Sequence, residues 1–154
     1  IDSNNVEIII QLGLVNHILK KYEESDFYYE KALILEPENP LLNNNYAYSL
    51  SERNLELERA LEMIKIAIDS DSLNANYLDT YGWVYFQMGD NEKALEFLEK
   101  SKAINNANPE VWLHIGDVLK KQGKEQEAID AWEKGLNCAP SNSDLLERIK
   151  KNKS

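Results

Sequence analysis

The stretch Gly116-Asp-Val-Leu-Lys-Lys-Gln-Gly123-Lys124 carries the residue types of a phosphate-cradling loop, in which glycines admit a polyphosphate to backbone amides and a lysine neutralises it. Six residues separate the glycines where four are needed, and Glu125 stands where a Ser or Thr would hold magnesium. The flanking sequence is helical on both sides, so phosphate chemistry is set aside. His17 and His114 are far apart, and neither has neighbours at metal-ligand spacing; His114 with Asp117 three residues on is expected as a helix-surface pair. Glu23-Glu24 and Glu56/Glu58 are carboxylate pairs on expected turns or wet faces, without the burial that tunes a carboxylate for acid–base work. Cys138 is expected as a small buried thiol, and the Trp112/Trp132 pair as core. One cysteine excludes an internal disulfide and a cysteine-based zinc cluster. No catalytic residue, metal site or cofactor site emerges, and the chain is not expected to be an enzyme.

What remains is the framework that would position a binding surface. The chain has 154 residues, 43% hydrophobic and 29% charged, enough for one globular domain with a proper core. Its 17 Lys and Arg against 27 Asp and Glu give a net charge of −10, which argues against nucleic acid as a partner. No apolar run approaches the ~18 residues that span a bilayer, so direct membrane insertion is not expected of this chain. Ile1 in place of an initiator methionine suggests a piece of a longer protein, and the compartment, cytoplasm or bacterial envelope, stays open. Residues 1–108 hold 9 basic and 19 acidic residues and residues 109–154 hold 8 of each, ending in Lys150-Lys151-Asn152-Lys153. Such an imbalance would steer a basic partner towards the first part, or form a solvated outer face.

Sliding the chain against itself exposes a repeat. At an offset of 34, Gly82, Val84, Gly89, Ala94, Glu99 and Lys100 fall on identical residues; at 69, Gly13, Val15, Glu23, Glu30, Lys31, Asn39 and Pro40 do. The expected units are 6–39, 40–74, 75–108 and 109–142, the second with one extra residue around 54–58. Residues 1–5 form an upstream linker, and 143–154 a capping helix and tail. Within a unit, Leu78, Tyr81, Gly82 and Tyr85 line one helix face; Gly89-Asp90 breaks it, and Ala94, Leu98 and Ser101 line a second. Asn39-Pro40 and Asn108-Pro109 are helix starts. Small residues at 13, 47, 82 and 116 let paired helices approach closely. Leu145, Leu146 and Ile149 give the last helix an apolar side that seals the array.

These residues resemble the tetratricopeptide repeat, with Trp112, Ile115, Gly116, Leu119, Ala128, Trp132 and Pro140 the fullest match and unit 40–74 the most divergent. Residues 45–50, 77–83 and the Lys-rich last helix look like the C-terminal end of long bacterial tetratricopeptide proteins, some of them outer-membrane lipoproteins. The resemblance implies an all-α fold, a right-handed α-solenoid of helix-turn-helix units with a capping helix, that scaffolds a protein or peptide ligand and does no catalysis.

In that family the first helix of each unit lines a concave groove. The register assigns the groove Ile10, Leu14, Asn44, Asn45, Tyr48, Asn76, Asp79, Trp83, Phe86 and Leu113. Tyr48, Trp83 and Phe86 lie off the core stripe and are expected as apolar anchors, with Asn44, Asn45, Asn76 and Asp79 setting a ligand's register. Covering by neighbouring helices, or a structural solenoid segment whose aromatics serve self-association or packing against upstream repeats, are the alternatives. The carboxylate clamp by which some family members hold acidic chaperone tails is absent: of Ile10, Leu14, Asn45, Asn76 and Thr80, only Asn45 fits.

Overall fold

Four asparagines punctuate the chain and each starts a helix. The side-chain oxygens of Asn39, Asn74, Asn108 and Asn142 accept from backbone N–H groups in the first turn that follows. Those N–H groups have no partner within the helix, so the caps satisfy donors that would otherwise go unpaired. Pro40 and Pro109 take the first helical position, where no N–H is needed.

The computed structural model describes residues 3–152; residues 1–2 of the expected linker and 153–154 of the tail lie outside them. Among the described residues all regular structure is α-helical: α1 (Ser3–Ile18), α2 (Tyr22–Leu35), α3 (Pro40–Glu52), α4 (Leu57–Ser70), α5 (Ala75–Gln87), α6 (Asn91–Ile104), α7 (Pro109–Lys121), α8 (Glu125–Cys138) and α9 (Ser143–Asn152). α1/α2, α3/α4, α5/α6 and α7/α8 are hairpins, and α9 packs on α8.

The hairpin links share one device. Lys20, Asn54, Gly89 and Gly123 occupy the same repeat position, and all four have positive φ (58°, 54°, 88° and 79°). A left-handed residue there ends the first helix and reverses the chain. The α3–α4 link holds four residues, 53–56, against three elsewhere, and adds a second left-handed residue, Glu56.

Close approach inside each hairpin depends on the residue opposite the second helix. A Cβ on Gly13 would sit 2.6 Å from the Tyr29 ring, and one on Gly82 would sit 2.7 Å from Leu98 and 2.9 Å from the Ala94 carbonyl. Glycine costs a helix about 0.5–1 kcal/mol relative to alanine, which this contact offsets. Hydroxyls tie the same hairpins: Ser25 Oγ donates to the Gly13 carbonyl at 2.9 Å, and Ser101 Oγ to the Ala75 carbonyl at 2.7 Å.

The chain forms two compact units, divided between Ser72 and Leu73. In the first, α1–α4 bury Val6, Ile9, Ile10, Tyr29, Leu42, Tyr46, Leu50 and Ile64. Tyr29 stacks on Tyr46 at 5.0 Å, and the Tyr46 hydroxyl donates to Glu30 at 2.9 Å. Burial, above all, raises the pKa of both phenols. Arg53 reaches back from the end of α3 to hold Asp26 of α2 through two N–H bonds of 2.9 and 2.7 Å. In the second unit, Val111, Ile115 and Val118 of α7 pack with Ala94 and Leu98 of α6, while Trp132, Ala128 and Ile129 of α8 pack with Leu113 and Leu145.

Two sequence expectations are corrected here. Cys138 is exposed, because it falls in the last turn of α8, and its thiol reaches only the Asn106 carbonyl at 3.7 Å. Trp132 is core, but Trp112 is half-buried, held at the surface between the ammonium groups of Lys102 and Lys134.

Candidate interaction surface

The first-helix surfaces are built from side chains one repeat apart. In the first compact unit, His17 of α1 meets Glu52 of α3, with Nε2 3.1 Å from a carboxylate oxygen. The Tyr48 ring lies edge-on to the same imidazole at 5.9 Å and is half-buried. Asn44 Nδ2 donates to Asn45 Oδ1 at 3.1 Å, while Asn44 Oδ1 and Asn45 Nδ2 are buried with no hydrogen-bond partner among the described residues. Ile10 is wholly in the core and Leu14 is half-buried.

In the second unit the same geometry brings Asp79 of α5 to His114 of α7. Nδ1 of the imidazole lies 3.1 and 3.0 Å from the two carboxylate oxygens. Burial alone would push His114 towards the neutral form, but the charge and hydrogen bond of Asp79, helped by Glu110 and Asp117, hold its pKa above the ordinary value. The Trp83 ring stacks on the imidazole at 4.2 Å and 24°, and Phe86 leans on Trp83 at 5.0 Å. Trp83 is therefore buried, 8% exposed, rather than open to water, and its indole N–H has no partner among the described residues. Of the aromatics assigned as anchors, Tyr48 and Phe86 keep a half-exposed ring.

One helix further on, Asp117 of α7 accepts from Arg148 Nε at 2.6 Å and Nη2 at 2.8 Å, and from the Trp132 indole at 3.1 Å. The hydrogen bond to Asp117 raises the Arg148 pKa, so α9 is clamped to α7 by a committed ion pair. A depression of about 450 Å³ opens beside it, with Phe86, Lys120, Lys121 and Arg148 among its walls. Lys120 is engaged by Glu125 at 2.7 Å.

Asn76 is exposed at the start of α5, Leu113 is packed against Trp132 and Leu145, and Asn44 and Asp79 are buried. The His114–Asp117 surface pair expected from the sequence is replaced by two partnerships, His114 with Asp79 and Asp117 with Arg148. The signal was spacing of about one repeat between opposite charges, 35 residues for the first pair and 31 for the second. A His–Asp pair serves catalysis when a nucleophile reaches the free imidazole nitrogen in an open site; here the ring is 2% exposed under Trp83 and acts as packing. Among the described residues, no group of three or more His, Cys, Asp or Glu side chains could hold a metal ion, and no helix is long and apolar enough to cross a membrane.

The tetratricopeptide repeat family model matches residues 20–137. The chain is 25% identical over 145 residues to the anaphase-promoting complex subunit CDC16 of Saccharomyces cerevisiae, covering 90% of this chain and 17% of that protein. It is 24% identical over 90 residues to the small glutamine-rich tetratricopeptide repeat-containing protein 2 of Mycosarcoma maydis, covering 58% of this chain and 26% of that one. The chain thus spans about a quarter or less of these relatives' lengths. Among solved structures, Pseudomonas aeruginosa PilF superposes with a TM-score of 0.75 at 23% identity, over 96% of this chain and 67% of that one. A thermophilic tetratricopeptide protein of Thermus thermophilus gives 0.64 at 22%, over 96% and 98%. The first repeat domain of Spaghetti (RPAP3), bound to the HSP90 peptide SRMEEVD, gives 0.65 at 17%, over 74% and 90%. The repeated hairpins and the family match agree: this chain belongs to the tetratricopeptide repeat family, whose helical repeats generally mediate protein–protein contacts and are generally non-catalytic.

Proposed function

We propose that the chain is a protein-interaction scaffold that takes an extended peptide or protein segment on the first-helix surfaces of its hairpins. The observation that carries this reading is the pairing of half-exposed aromatic edges with buried polar atoms that lack partners. Tyr48 stands one turn from Asn44 and Asn45, and Phe86 leans on Trp83. An unpartnered buried donor or acceptor costs about 1–3 kcal/mol, and a ligand's backbone carbonyls and amides would recover part of it. Several ionisable side chains nearby are already engaged with one another, His17 with Glu52, Asp79 with His114 and Asp117 with Arg148. The favoured ligand is therefore apolar or aromatic, held through its backbone, with positive charge helping its approach to a chain of net charge −10. An acidic chaperone tail is disfavoured, since Asn45 alone matches a clamp.

The test is selection of peptides on the intact chain from a displayed library, followed by calorimetry on variants shown by circular dichroism to be folded. Tyr48→Ala, Asn45→Ala and Phe86→Ala are each expected to weaken the selected peptides about tenfold or more. Undiminished binding to all three would overturn the reading.

A further inference from the structure

The depression shared by α5, α7 and α9 holds an unbalanced set of charges. Lys120, Lys121 and Arg148 wall it, against the single carboxylate of Asp117. Arg148 answers Asp117 and Lys120 answers Glu125. Lys121 is left over: it is exposed, with no hydrogen-bond or ion-pair partner among the described residues. Donors are in excess as well. Asp117 already accepts from Arg148 Nε, Arg148 Nη2 and the Trp132 indole, whereas Nη1 of Arg148 donates only a long 3.4 Å bond to the Asp144 carbonyl. What these walls lack is one negatively charged acceptor. The rest of the lining is mainly apolar, from the Phe86 ring and the methylene stems of the long cations. Phe86 stays half-exposed although α7 and α9 follow it, and it holds the same helix position as Lys120, so stacking of hairpins leaves this face open. Repeat register makes the cations particular to α7. Counted from the start of each first helix, Lys121 replaces Glu52 of α3 and Gln87 of α5, and Lys120 replaces Ser51 and Phe86. The volume, about 450 Å³, lies within the range of about 300–1,000 Å³ that ligand pockets occupy.

We propose that this depression receives an aromatic residue flanked by an acidic one, inside a segment of a partner protein; the inference rests on the scaffold reading for its peptide partner. The incoming ring lies against Phe86 and beside the lysine ammonium groups, which attract its face. The adjacent carboxylate pairs with Lys121 and with the spare N–H of Arg148 Nη1. A single carboxylate is matched. A phosphate or a run of acidic residues is not, because Asp117 and Glu125 border the site and the chain carries a net charge of −10. Positive charge elsewhere in the same ligand still aids its approach.

The test is a nuclear magnetic resonance titration of the isotopically labelled intact chain with acetyl-Ser-Trp-Asp-Ser-amide, capped so that one side chain carries its only charge. Saturable shifts are expected at the Trp132 indole and the Lys121 amide. Exchanging Asp for Asn in the peptide, or Trp for Ala, is expected to weaken binding about fivefold or more. Lys121→Ala, at an exposed position, is expected to cut the preference for Asp over Asn to about twofold, and Lys121→Arg to keep it. No saturation up to about 10 mM, equal binding of the Asp and Asn peptides, or a preference that survives Lys121→Ala would each overturn the proposal. Tighter binding of the Asn peptide with a free C-terminus would also overturn it and assign the site to a chain end. Library-selected peptides that depend on Tyr48 and Asn45 but carry no acidic–aromatic pair would overturn it while the scaffold reading stands. Saturable, Lys121-dependent shifts, with selected peptides indifferent to Tyr48→Ala, Asn45→Ala and Phe86→Ala, would support it while overturning the reading it extends.

Discussion

The His114–Asp79 pair offers the sharpest check on the physical account of the second compact unit. Both groups are buried: the carboxylate, 6% exposed, lies 3.0 Å from Nδ1 of the imidazole and favours its protonated form. Asp79→Ala removes the carboxylate that favours the protonated imidazole and leaves a buried ring nitrogen without that partner, which costs about 1–3 kcal/mol, so it is expected to lower the melting temperature by about 2–12 °C for a chain of this size. The pH dependence has a definite sign. The folded pKa of His114 is raised above its ordinary 6.5, so its stabilising contribution is complete below that value and is lost as pH rises through the folded pKa. Asp79→Asn keeps the shape of the carboxylate and removes its charge, and is expected to bring the His114 midpoint down and to erase that loss. The assay is an imidazole titration by nuclear magnetic resonance, with His17→Gln assigning the two signals, alongside denaturant unfolding on either side of the midpoint. A His114 midpoint at or below about 6.5 in the intact protein, or one that Asp79→Asn leaves in place, would refute the reasoning.

Three further outcomes are expected. Gly13→Ala would press a methyl group into the Tyr29 ring at 2.6 Å; overpacking of about 1–3 kcal/mol exceeds the gain in helix propensity, so chemical denaturation is expected to show a net loss. Lys20→Gly would relieve a left-handed backbone at φ 58° and is expected to stabilise the first unit by about 0.5–1 kcal/mol, measured by the same unfolding curves. Arg148→Ala would leave Asp117 with the Trp132 indole alone and release the end of α9, and is expected to speed amide exchange at residues 145–149 while leaving α5 and α6 protected, at a cost of about 1–3 kcal/mol.

Much of the fold was legible because it is written in local signals that recur. Asn-Pro starts, glycine at the small-residue positions and the Gly-Asp break each act within a few residues, and each has a geometric effect independent of what lies elsewhere. The surface was less legible. Trp83 sits off the stripe that packs inside its own hairpin, which suggested exposure, yet the face it occupies is covered by His114 of the next first helix. A helix in a stacked array has two buried sides, one for its partner and one for its neighbour, and a single apolar stripe describes only the first. The same blindness misplaced His114, whose partner three residues away on its own helix lost to a carboxylate one repeat back. Cys138 failed for a different reason: the last turn of a second helix lies beyond the core, where small size predicts nothing about burial.

The acid–base contacts between successive first helices bear on how such a chain can change over time. His17 with Glu52, Asp79 with His114 and Asp117 with Arg148 each join residues from two different hairpins or from a hairpin and the last helix: two are imidazole–carboxylate pairs of opposite order, and the third pairs a carboxylate with a guanidinium. A hairpin duplicated, deleted or transplanted within the array would carry half of one contact and meet the wrong half of another, leaving a lone charge against a packed helix. The repeats are alike in backbone yet addressed in order, so the array is inherited as a sequence of matched neighbours rather than as interchangeable parts.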